Sequence, residues 1–390
     1  MGLSFLVVKY LRPTLFKAGK GFSILDIEKL ANEHLLPIKP YIPGKPVEEV
    51  QRELGIDDVV KMASNENIFG PSPKVVEAIC KAASAVNFYP DGGSYYLRTA
   101  IAEKFGVKFE NVMVGSGVDE LLRILCVSVL GPGDEIIFAD PSFVMYGISA
   151  MVANAGMVKV PLRDGYYHDI PAMIDSITDR TKMIFVCNPN NPTGTIVKKD
   201  EIDLLMEKVP ENVLVVMDEA YYEYVQDPDY PQTMEYFKQG KNIVVFRTFS
   251  KAYGLAGLRV GYGFVEEKLG EVFHRVRNPF NVNLLAQTAA LVALEEQENV
   301  RRVVDSTVAG KEQIYAGLDA MGIRYVPTEA NFILIDCETE SVPVFEALLR
   351  KGVIVRPGQF LGFPTCIRVS ICLEKENERF LVALKEVLGK

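Results

Sequence analysis

The stretch Asn242–Val265, NIVVFRTFSKAYGLAGLRVGYGFV, joins two strand-like runs through a glycine-spaced loop that carries one lysine. The first run, NIVVFR, has the almost continuous apolar composition of a buried strand. The second run, RVGYGFV, follows without a full helix in between, so one of the two strands is a candidate antiparallel strand. Lysine is seldom placed where a core strand ends unless it is paired or reactive. Lys251 is therefore the first candidate for a chemical role.

Upstream of this stretch, from about residue 110, strand-like runs alternate with helical patterns. The strand-like runs are NVMVG, EIIFAD, MVKVPL, KMIFVCN and VLVVMDEA, and helical patterns such as VDELLRILCVSVLG and KKDEIDLLMEKVP separate many of them. This alternation is typical of βαβ units. It predicts an α/β fold in which a seven-stranded, mostly parallel sheet lies between two layers of helices.

Past about residue 305 the pattern changes to shorter strands, NFILIDC, VIVRPG and CIRVSI, flanked by helical segments. This composition predicts a second, smaller α+β domain. We expect an N-terminal extension of unknown role over residues 1–25, and an arm containing PYIPGKP with part of the small domain over residues 26–64. The large domain is expected over residues 65–300 and the small C-terminal domain over residues 301–390.

Composition excludes several classes of protein. The chain has 390 residues, of which 48% are apolar and 24% charged, as is usual for a soluble globular protein. Its net charge of -9 argues against a nucleic-acid partner, and no segment approaches the length of a membrane span. Six cysteines without a C-x-x-C pair predict reduced core thiols and a cytoplasmic protein, and three scattered histidines offer neither a metal site nor histidine-based catalysis.

Active sites of parallel α/β sheets lie at the carboxyl ends of the strands, so the residues after each strand are informative. After NVMV, the turn GSGVDELL opens a helix whose free N–H groups suit a phosphate, although a simple capping turn explains it equally well. A dinucleotide fingerprint is excluded, because Glu120 stands where the third glycine would be.

Three further strand ends carry unusual side chains. PSFVMYG offers Phe143 and Tyr146 as covers for an aromatic ring, with two core aromatic residues as the alternative, and NPNNPTG is a rigid turn that displays amide groups. Asp218 follows five apolar residues and requires a cationic partner to remain ionised, and Tyr221 lies three residues on. Helix capping is the alternative explanation for the aspartate alone.

The strand end at Lys251 also carries Thr248, Ser250 and, further on, Arg259, which together suit a phosphate. The strand ends thus offer a lysine, a buried carboxylate, a tyrosine, an asparagine, an aromatic cover and a phosphate cup. Pyridoxal phosphate uses each of these groups, because its aldehyde binds lysine and its pyridine nitrogen needs a carboxylate. The sequence therefore predicts pyridoxal 5'-phosphate as cofactor.

The motifs NPNNPTG, DEAY and SKAYGLAGLRVGY closely resemble those of fold-type I pyridoxal-phosphate aminotransferases of class II. PYIPGKP, NENIFGPSP, FYPDGGSYYLRTAIA and GSGVDELL are similar to the histidinol-phosphate aminotransferases, from about residue 38 to the C-terminus. The resemblance implies transamination of L-histidinol phosphate with 2-oxoglutarate to imidazole acetol phosphate and glutamate, in histidine biosynthesis. It also implies a homodimer with shared active sites.

The resemblance assigns expected roles around the cofactor. Lys251 would form the Schiff base and move protons, and Asp218 would pair with the ring nitrogen. Tyr221 and Asn191 would hold the ring hydroxyl, and Phe143 would stack on the ring. The residues expected around the cofactor phosphate are Gly117, Val118, Asp119, Thr248, Ser250 and Arg259.

The same resemblance assigns the substrate site. Arg368 would grip the α-carboxylate of the substrate, and Arg356 would lie near its side-chain phosphate. Tyr41 of the arm and Asn191 complete the expected substrate contacts. From the partner subunit, Asn67 and Tyr89 would reach the site.

Two adjacent positions depart from the family pattern, because NENIFG has Ile68 and Phe69 where members often read NENPYG. The departure affects the substrate more than the cofactor. An aromatic amino-acid aminotransferase is therefore the second hypothesis, and a phosphothreonine decarboxylase of similar fold is the third. A pyridoxal-binding transcription regulator is disfavoured, because no helix-turn-helix pattern precedes the first motif.

Overall fold

The computed structural model describes residues 27–40 and 44–390. The chain divides into two compact units between Lys39 and Pro40. In the first unit, helix α1 (Ile27–Leu30) is followed by a 3-10 turn at Glu33–Leu35. The extension predicted for residues 1–25 and the arm residue Tyr41 lie outside the described residues. No helix in the described ranges is long and apolar enough to cross a membrane.

The strands of the second unit belong to three sheets. They are β1 (Val60–Lys61), β2 (Val112–Gly115), β3 (Glu135–Asp140), β4 (Gly156–Pro161), β5 (Thr181–Cys187), β6 (Leu214–Asp218), β7 (Ile243–Thr248), β8 (Gly261–Phe264), β9 (Arg324–Val326), β10 (Phe332–Asp336), β11 (Val353–Ile354), β12 (Arg356–Pro357) and β13 (Cys366–Ser370).

Helices of the second unit connect and cover these strands. They are α2 (Val47–Leu54), α3 (Pro73–Ala82), α4 (Tyr95–Phe105), α5 (Val118–Val129), α6 (Met145–Val152), α7 (Ile170–Asp175), α8 (Lys199–Lys208), α9 (Thr233–Lys238), α10 (Glu267–Val276), α11 (Leu284–Glu295), α12 (Gln297–Met321), α13 (Ser341–Arg350) and α14 (Glu374–Leu388).

The large sheet has seven strands in the order β2-β8-β7-β6-β5-β3-β4. Strand β8 runs antiparallel to both β2 and β7, while the other pairs are parallel. The lysine loop between β7 and β8 contains only a short 3-10 turn, Ala256–Leu258, instead of a crossover helix, so β8 returns antiparallel. The predicted fold class and the antiparallel strand beside the lysine loop are confirmed.

Neighbouring residues of the central strands alternate between two cores. Val215 and Met217 of β6 belong to one apolar cluster, and Val216 between them belongs to the other. Successive side chains of a strand point to opposite faces, so both faces of the sheet are covered by helices. This double cover explains why the central strands read as continuous apolar runs.

The C-terminal part is built on a four-stranded sheet in the order β12-β13-β10-β9, whose pairs are antiparallel. A third apolar cluster lies between this sheet and helices α12, α13 and α14. Strand β1 pairs in parallel with β11, which ties the segment before the large sheet to this region. The domain boundaries after residues 64 and 300 stay a prediction.

A buried ion pair joins β6 and β7 at their carboxyl ends. Both Nε and Nη2 of Arg247 lie 2.8 Å from Oε2 of Glu219. Thr233 donates to the other oxygen of Glu219 at 2.7 Å, and the guanidinium lies 3.6 Å from the ring of Tyr222. Removing one partner would leave a buried charge uncompensated, at a cost of about 3–5 kcal/mol. The pair therefore holds the two strand ends in register.

His168 is a buried ionisable residue whose stability effect depends on pH. Both of its ring nitrogens lack a hydrogen-bond partner in the described part of the chain, and burial lowers its pKa from 6.5 to about 4. Between these values the unfolded chain binds the proton more tightly, so this residue lowers the stability as pH falls from 6.5 to 4. We expect the wild-type free energy of unfolding to fall by about 3 kcal/mol more than that of His168→Leu between pH 7.5 and pH 4.

Urea unfolding at a fixed protein concentration measures this difference. At pH 7.5 the imidazole is neutral in both states, so the difference between the two proteins there reports packing alone. Parallel stability curves for the two proteins from pH 7.5 to pH 4 would contradict the prediction.

Candidate active site

A cavity of about 100 Å³ opens at the carboxyl ends of the large sheet. Ten of the residues expected from the sequence lie in its wall, together with Cys187 and Ala220, which were not expected. The expected ones are Val118, Asp119, Phe143, Asn191, Asp218, Tyr221, Thr248, Ser250, Lys251 and Arg259. Residues from five separate segments of the sequence therefore meet at one place.

A larger groove of about 630 Å³ lies at the opposite edge of the sheet, near the start of β6 and β7. Its charged lining includes Lys108, Lys238 and Lys241, and none of the expected site residues borders it. The chemistry of the lining, and not the size, therefore identifies the candidate site.

Helix α5 forms the phosphate cup with its first turn. Gly117 precedes the helix at φ 80°, and a Cβ there would lie 2.6 Å from Nη2 of Arg259. Glycine thus lets the guanidinium approach the exposed N–H groups of the turn, where an anion is favoured. Nη2 of Arg259 also lies 3.4 Å from Oδ2 of Asp119.

Asp218 ends strand β6 and is only 2% exposed. Tyr146 donates its hydroxyl to Oδ2 at 2.8 Å, and the amide of Ala220 donates to Oδ1 at 3.3 Å. Burial raises the pKa of Asp218 from 3.8 to about 6, and the hydrogen bond from Tyr146 partly opposes this rise. Helix capping does not explain the residue, because Tyr221 and not Asp218 precedes the following 3-10 turn.

Tyr146 does not line the cavity; of the two alternatives that the sequence left open for it, ring cover or core aromatic, the structure shows the core aromatic. It is fully buried and stacked on Phe185, with ring centroids 4.9 Å apart. Helix α6 turns its face with Tyr146 into the core, which brings the hydroxyl beneath the sheet edge to Asp218. Phe143, two residues before this helix, lines the cavity. Sequence reasoning missed Tyr146 as a partner of Asp218, because it resembles an ordinary core aromatic.

Lys251 is partly exposed as a residue, but its ammonium end is enclosed by the cavity wall. Nζ donates to the carbonyl of Ser64 at 3.1 Å and lies 5.6 Å from the ring centroid of Tyr221. Burial, together with the charge of Arg368, lowers the pKa of Lys251 from 10.5 to about 8. A substantial fraction of this amine is therefore neutral, and nucleophilic, near physiological pH.

Tyr221 keeps its proton, because burial raises its pKa above the usual range. Its ring packs edge-on against Phe332, with centroids 5.1 Å apart. The side-chain amide of Asn65 donates to its hydroxyl oxygen at 3.0 Å. The phenol is thus a neutral group held at a fixed position in the wall.

The NPNNPTG turn uses its asparagines in two ways. Asn188 and Asn190 are fully buried and make hydrogen bonds that stabilise the turn. Asn191 faces the cavity, and its Oδ1 accepts from Nη1 of Arg368 at 2.5 Å. Nη2 of Arg368 donates to the carbonyl of Ala63 at 2.9 Å. The turn therefore fixes an arginine of the C-terminal sheet against the large sheet.

Arg356 and Arg368 are directly opposite each other on the antiparallel strands β12 and β13. Each is 7% exposed, and the guanidinium of Arg356 lies 5.9 Å from the ring centroid of Phe360. Opposite residues of an antiparallel pair share one face, and like charges placed there repel. An anion on this face could accept from both guanidinium groups.

The segment Ala63–Asn67 was not expected to organise this site. Its backbone carbonyls accept from Arg368 and Lys251, as described above, and Asn65 binds Tyr221. Nδ2 of Asn67 donates to the carbonyl of Ala252 in the same chain at 2.9 Å. Backbone acceptors leave no signal in the sequence, although two asparagines after a short strand mark an irregular, polar segment.

Two residues expected to serve the partner's site lie apart from the cavity wall. Tyr89 is 82% exposed and stacks on Phe280 with centroids 4.7 Å apart. The side chain of Asn67 is engaged within its own chain. Their contacts with a partner subunit stay a prediction.

The comparisons with known proteins identify the class of protein. The family model described as aminotransferase class I and II matches residues 57–384. The chain belongs to this family, whose members use pyridoxal phosphate. The predicted enzyme class and cofactor are confirmed.

Relatives with assigned names are similar over most of the chain. It is 50% identical over 358 residues to a histidinol-phosphate aminotransferase of Moorella thermoacetica, covering 92% of both chains. It is 48% identical over 352 residues to histidinol-phosphate aminotransferase 2 of Carboxydothermus hydrogenoformans, covering 90% of this chain and 97% of that protein. The predicted resemblance to histidinol-phosphate aminotransferases is confirmed.

Solved structures agree in fold. The histidinol-phosphate aminotransferase of Sinorhizobium meliloti in complex with pyridoxal-5'-phosphate superposes with a TM-score of 0.83 at 26% identity, covering 96% of this chain and 99% of that one. An aspartate aminotransferase of Thermus thermophilus with maleate superposes with a TM-score of 0.79 at 26% identity, covering 92% and 99%.

The donor set of the cavity fits pyridoxal phosphate. Within residues 44–390 Asp218 forms no ion pair, so the pyridinium would supply the cation that this buried carboxylate lacks. The first turn of α5 with Arg259 suits the phosphate, and the lowered pKa of Lys251 suits a bond to the aldehyde. The residues present therefore match each end of the cofactor.

We expect the amine of Lys251 to titrate near pH 8 in the cofactor-free protein. Limited acylation at a series of pH values, followed by peptide mass spectrometry, gives the midpoint for each lysine. Arg368→Gln should raise the midpoint of Lys251, because a nearby positive charge that opposes protonation is lost.

Arg368→Lys is the matched control, since it keeps the charge and should leave the midpoint closer to the wild-type value. A wild-type midpoint near 10.5 would show that the cavity does not shift the pKa of this amine, and an unchanged midpoint in Arg368→Gln would show that the charge of Arg368 does not contribute.

Proposed function

We propose that this chain transaminates L-histidinol phosphate with 2-oxoglutarate, giving imidazole acetol phosphate and glutamate. Two named relatives at 50% and 48% identity support the substrate. The observation that carries the proposal is the pair Arg356 and Arg368, two buried guanidinium groups on one face. Such a pair suits a ligand with two negative charges in one group.

Pyridoxal phosphate, when bound, accepts the amino group at its aldehyde carbon and takes up the electrons left when the Cα proton departs. Lys251 is the group that bonds to the cofactor and moves the Cα proton, and its pKa of about 8 lies near the operating pH. Asp218 would keep the ring nitrogen protonated. Phe143 would cover the ring, while Tyr221 and Asn191 would hold its hydroxyl oxygen.

The cofactor phosphate would lie at the first turn of α5. Backbone amides of Val118 and Asp119 would donate there, and Gly117 leaves room for Arg259. Hydroxyls of Thr248 and Ser250 complete the set in the cavity wall, where the Oγ1 of Thr248 accepts from the amide of Ser250 at 3.0 Å. Helix dipole, amides and guanidinium all favour a dianion.

Histidinol phosphate requires a correction to the substrate roles expected from the sequence. Its phosphate ester occupies the position of the α-carboxylate of an amino acid, and its side chain is a neutral imidazole. The α-carboxylate expected at Arg368 therefore belongs to glutamate. For histidinol phosphate, Arg368 and Arg356 would share one phosphate dianion, which two adjacent guanidinium groups neutralise.

An aromatic amino-acid aminotransferase is the second candidate function. Phenylalanine would bring a single carboxylate, which can make charged hydrogen bonds to fewer of the guanidinium groups than a phosphate dianion can. The observation in its favour is Phe69, which packs against the apolar core and lies 5.1 Å from the guanidinium of Arg302. A phenol is missing at this place, and with it one donor for a phosphate.

We expect Arg356→Gln to lower kcat/KM for histidinol phosphate by about ten- to a hundredfold, the value of a charged hydrogen-bonded contact of about 1.5–3 kcal/mol. The half-reaction with phenylalanine should change much less, because one carboxylate needs only Arg368. Single-turnover half-reactions with histidinol phosphate, phenylalanine, tyrosine and glutamate measure both effects. Arg356→Lys is the control that keeps the charge and loses the planar fork.

A different outcome of the same half-reactions would contradict the proposed substrate. Suppose wild-type enzyme prefers phenylalanine to histidinol phosphate by kcat/KM, and Arg356→Gln changes neither rate. Arg356 would then be structural, and the aromatic aminotransferase would replace histidinol-phosphate transamination as the function.

The homodimer is proposed from an exposed aromatic patch. Phe88, Tyr89, Tyr95, Tyr96 and Phe280 form it, and their exposed fractions range from 44% to 82%. Exposed apolar patches of this kind mark protein interfaces. A second copy of the chain is the occupant that the family resemblance implies, with Asn67 and Tyr89 reaching the partner's site.

We expect the wild-type protein to have twice the 43.4 kDa chain mass in solution. Phe88→Glu combined with Tyr89→Glu should yield a monomer, because two buried charges would oppose association. Light scattering after size exclusion measures the mass. Val382→Glu, at an apolar residue of α14 that is 49% exposed, is the control expected to stay dimeric. A dimer that persists with both charges would place the interface elsewhere.

A cytoplasmic location and the absence of nucleic-acid and membrane partners are retained as parts of this proposal. They rest on the net charge of -9 and on the cysteine pattern.

A further inference from the structure

Asn65 is bound on every side within the wall of the site. It is 1% exposed and adopts the left-handed backbone conformation at φ 56°. Its amide nitrogen donates to Oγ of Ser370 at 2.8 Å, and its carbonyl accepts from Nδ2 of Asn331 at 3.1 Å. Its side chain lies between Ser370 and the hydroxyl of Tyr221.

These contacts decide which way the amide group of Asn65 faces. Oγ of Ser370 already accepts from the Asn65 backbone, so its own proton is available for Oδ1 of Asn65, 3.3 Å away. With Oδ1 facing serine, Nδ2 faces Tyr221 at 3.0 Å. An amide NH₂ group only donates, so the phenol oxygen of Tyr221 is the acceptor.

A phenol has one proton to donate. Because the amide of Asn65 occupies the acceptor side of the Tyr221 oxygen, the phenol proton must be donated in another direction. Tyr221 lines the cavity, where Asp218 and Lys251 also lie. The phenol proton is therefore available to an acceptor inside the cavity.

We propose that Asn65 is a positioning residue that makes Tyr221 a hydrogen-bond donor to the ring oxygen of the cofactor. This inference rests on the cofactor roles proposed above. Asn65 itself does not touch the reacting atoms, since its side chain is separated from the cavity by the phenol.

The expected consequence is a change in the acidity of the bound cofactor. A hydrogen-bond donor to the ring oxygen stabilises the anionic form of that oxygen. It therefore lowers the pKa of the proton that this oxygen shares with the Lys251 nitrogen. When the donor is lost, this proton leaves at a higher pH. The visible absorbance of the lysine-bound cofactor, followed against pH, reports that midpoint without any turnover.

Asn65→Gly removes the side chain and keeps a residue that tolerates the left-handed backbone. We expect the absorbance midpoint to rise by about one pH unit, a tenfold change in proton affinity, in the same direction as in Tyr221→Phe. The double variant should have the midpoint of Tyr221→Phe alone, because both changes remove the same donor. An unchanged midpoint in Asn65→Gly, or shifts that add in the double variant, would overturn the proposal.

Asn331→Ala is the matched control for general loosening of this region. It removes the hydrogen bond to the Asn65 backbone and leaves the Asn65–Tyr221 contact in place. We expect it to lower the melting temperature of the cofactor-free protein without moving the absorbance midpoint. An equal midpoint shift in Asn331→Ala and Asn65→Gly would mean that loosening alone causes the effect, and the proposal would fail.

Asn65→Asp covers the case in which the glycine variant does not fold. The carboxylate has the same shape but only accepts, so Tyr221 would donate to it and turn away from the cavity. The midpoint should again rise, and a midpoint at or below the wild-type value would contradict the proposal.

Borohydride reduction of cofactor-loaded wild-type enzyme, followed by peptide mapping, tests the proposed cofactor roles separately from the positioning role of Asn65. A cofactor label absent from Lys251 would refute the proposed cofactor roles themselves. With the label on Lys251, an unmoved midpoint in the Asn65 variants would refute only the positioning role.

Discussion

Burial of the Asp218 carboxylate without a cation is the constraint on which the site depends. Its partners in the described chain are a phenol and a backbone amide, both neutral. A pKa raised from 3.8 to about 6 means that the ionised form costs about 3 kcal/mol of stability above pH 6. Strands β5, β6 and β7 are covered on both faces and the Arg247–Glu219 pair joins β6 to β7, so the fold tolerates this cost. A cationic ring nitrogen would remove this cost, so the buried carboxylate favours a cofactor with a protonated ring over a neutral ligand.

Apart from Asp119, which pairs with Arg259, the other charged groups described around the cavity are positive, in a chain whose net charge is -9. Arg259 lies at the start of α5, Arg368 lowers the pKa of Lys251, and Arg356 faces Arg368. Each of these positive groups is stabilised when an anion arrives. The site therefore presents one buried negative charge to the ring and several positive charges to the phosphate and the substrate. This separation of charge orients a cofactor that is cationic at one end and anionic at the other.

The sequence predicted the fold and most of the cavity wall, because the carboxyl ends of parallel strands meet at one edge. Lys251 and Asp218 could be recognised since charged residues directly after apolar runs are unusual there. Tyr146 could not be recognised, because a helical aromatic in an apolar segment is usually core. The contact of Asn65 with Ser370 joins residues 305 positions apart, and the carbonyls of Ala63 and Ser64 act through the backbone. Arg356 and Arg368 lie opposite each other because of the register between β12 and β13, and a single sequence does not reveal strand register.

Segment Ala63–Asn67 contacts both the arginine proposed to bind the substrate and the residues proposed to bind the cofactor. Its preceding strand β1 pairs with β11, and Met62 accepts from the amide of Ser370 in β13 at 2.8 Å. The same five residues then bind Arg368, the lysine and the phenol through Ala63, Ser64 and Asn65. A displacement of β13 would thus move the anion-binding arginine and the hydrogen-bond partners of the cofactor residues together. The residues for the substrate anion and for the cofactor ring are positioned together, because a single irregular segment accepts from Arg368 and Lys251 and donates to Tyr221. This explains why the conformation of the segment is determined by so many hydrogen bonds.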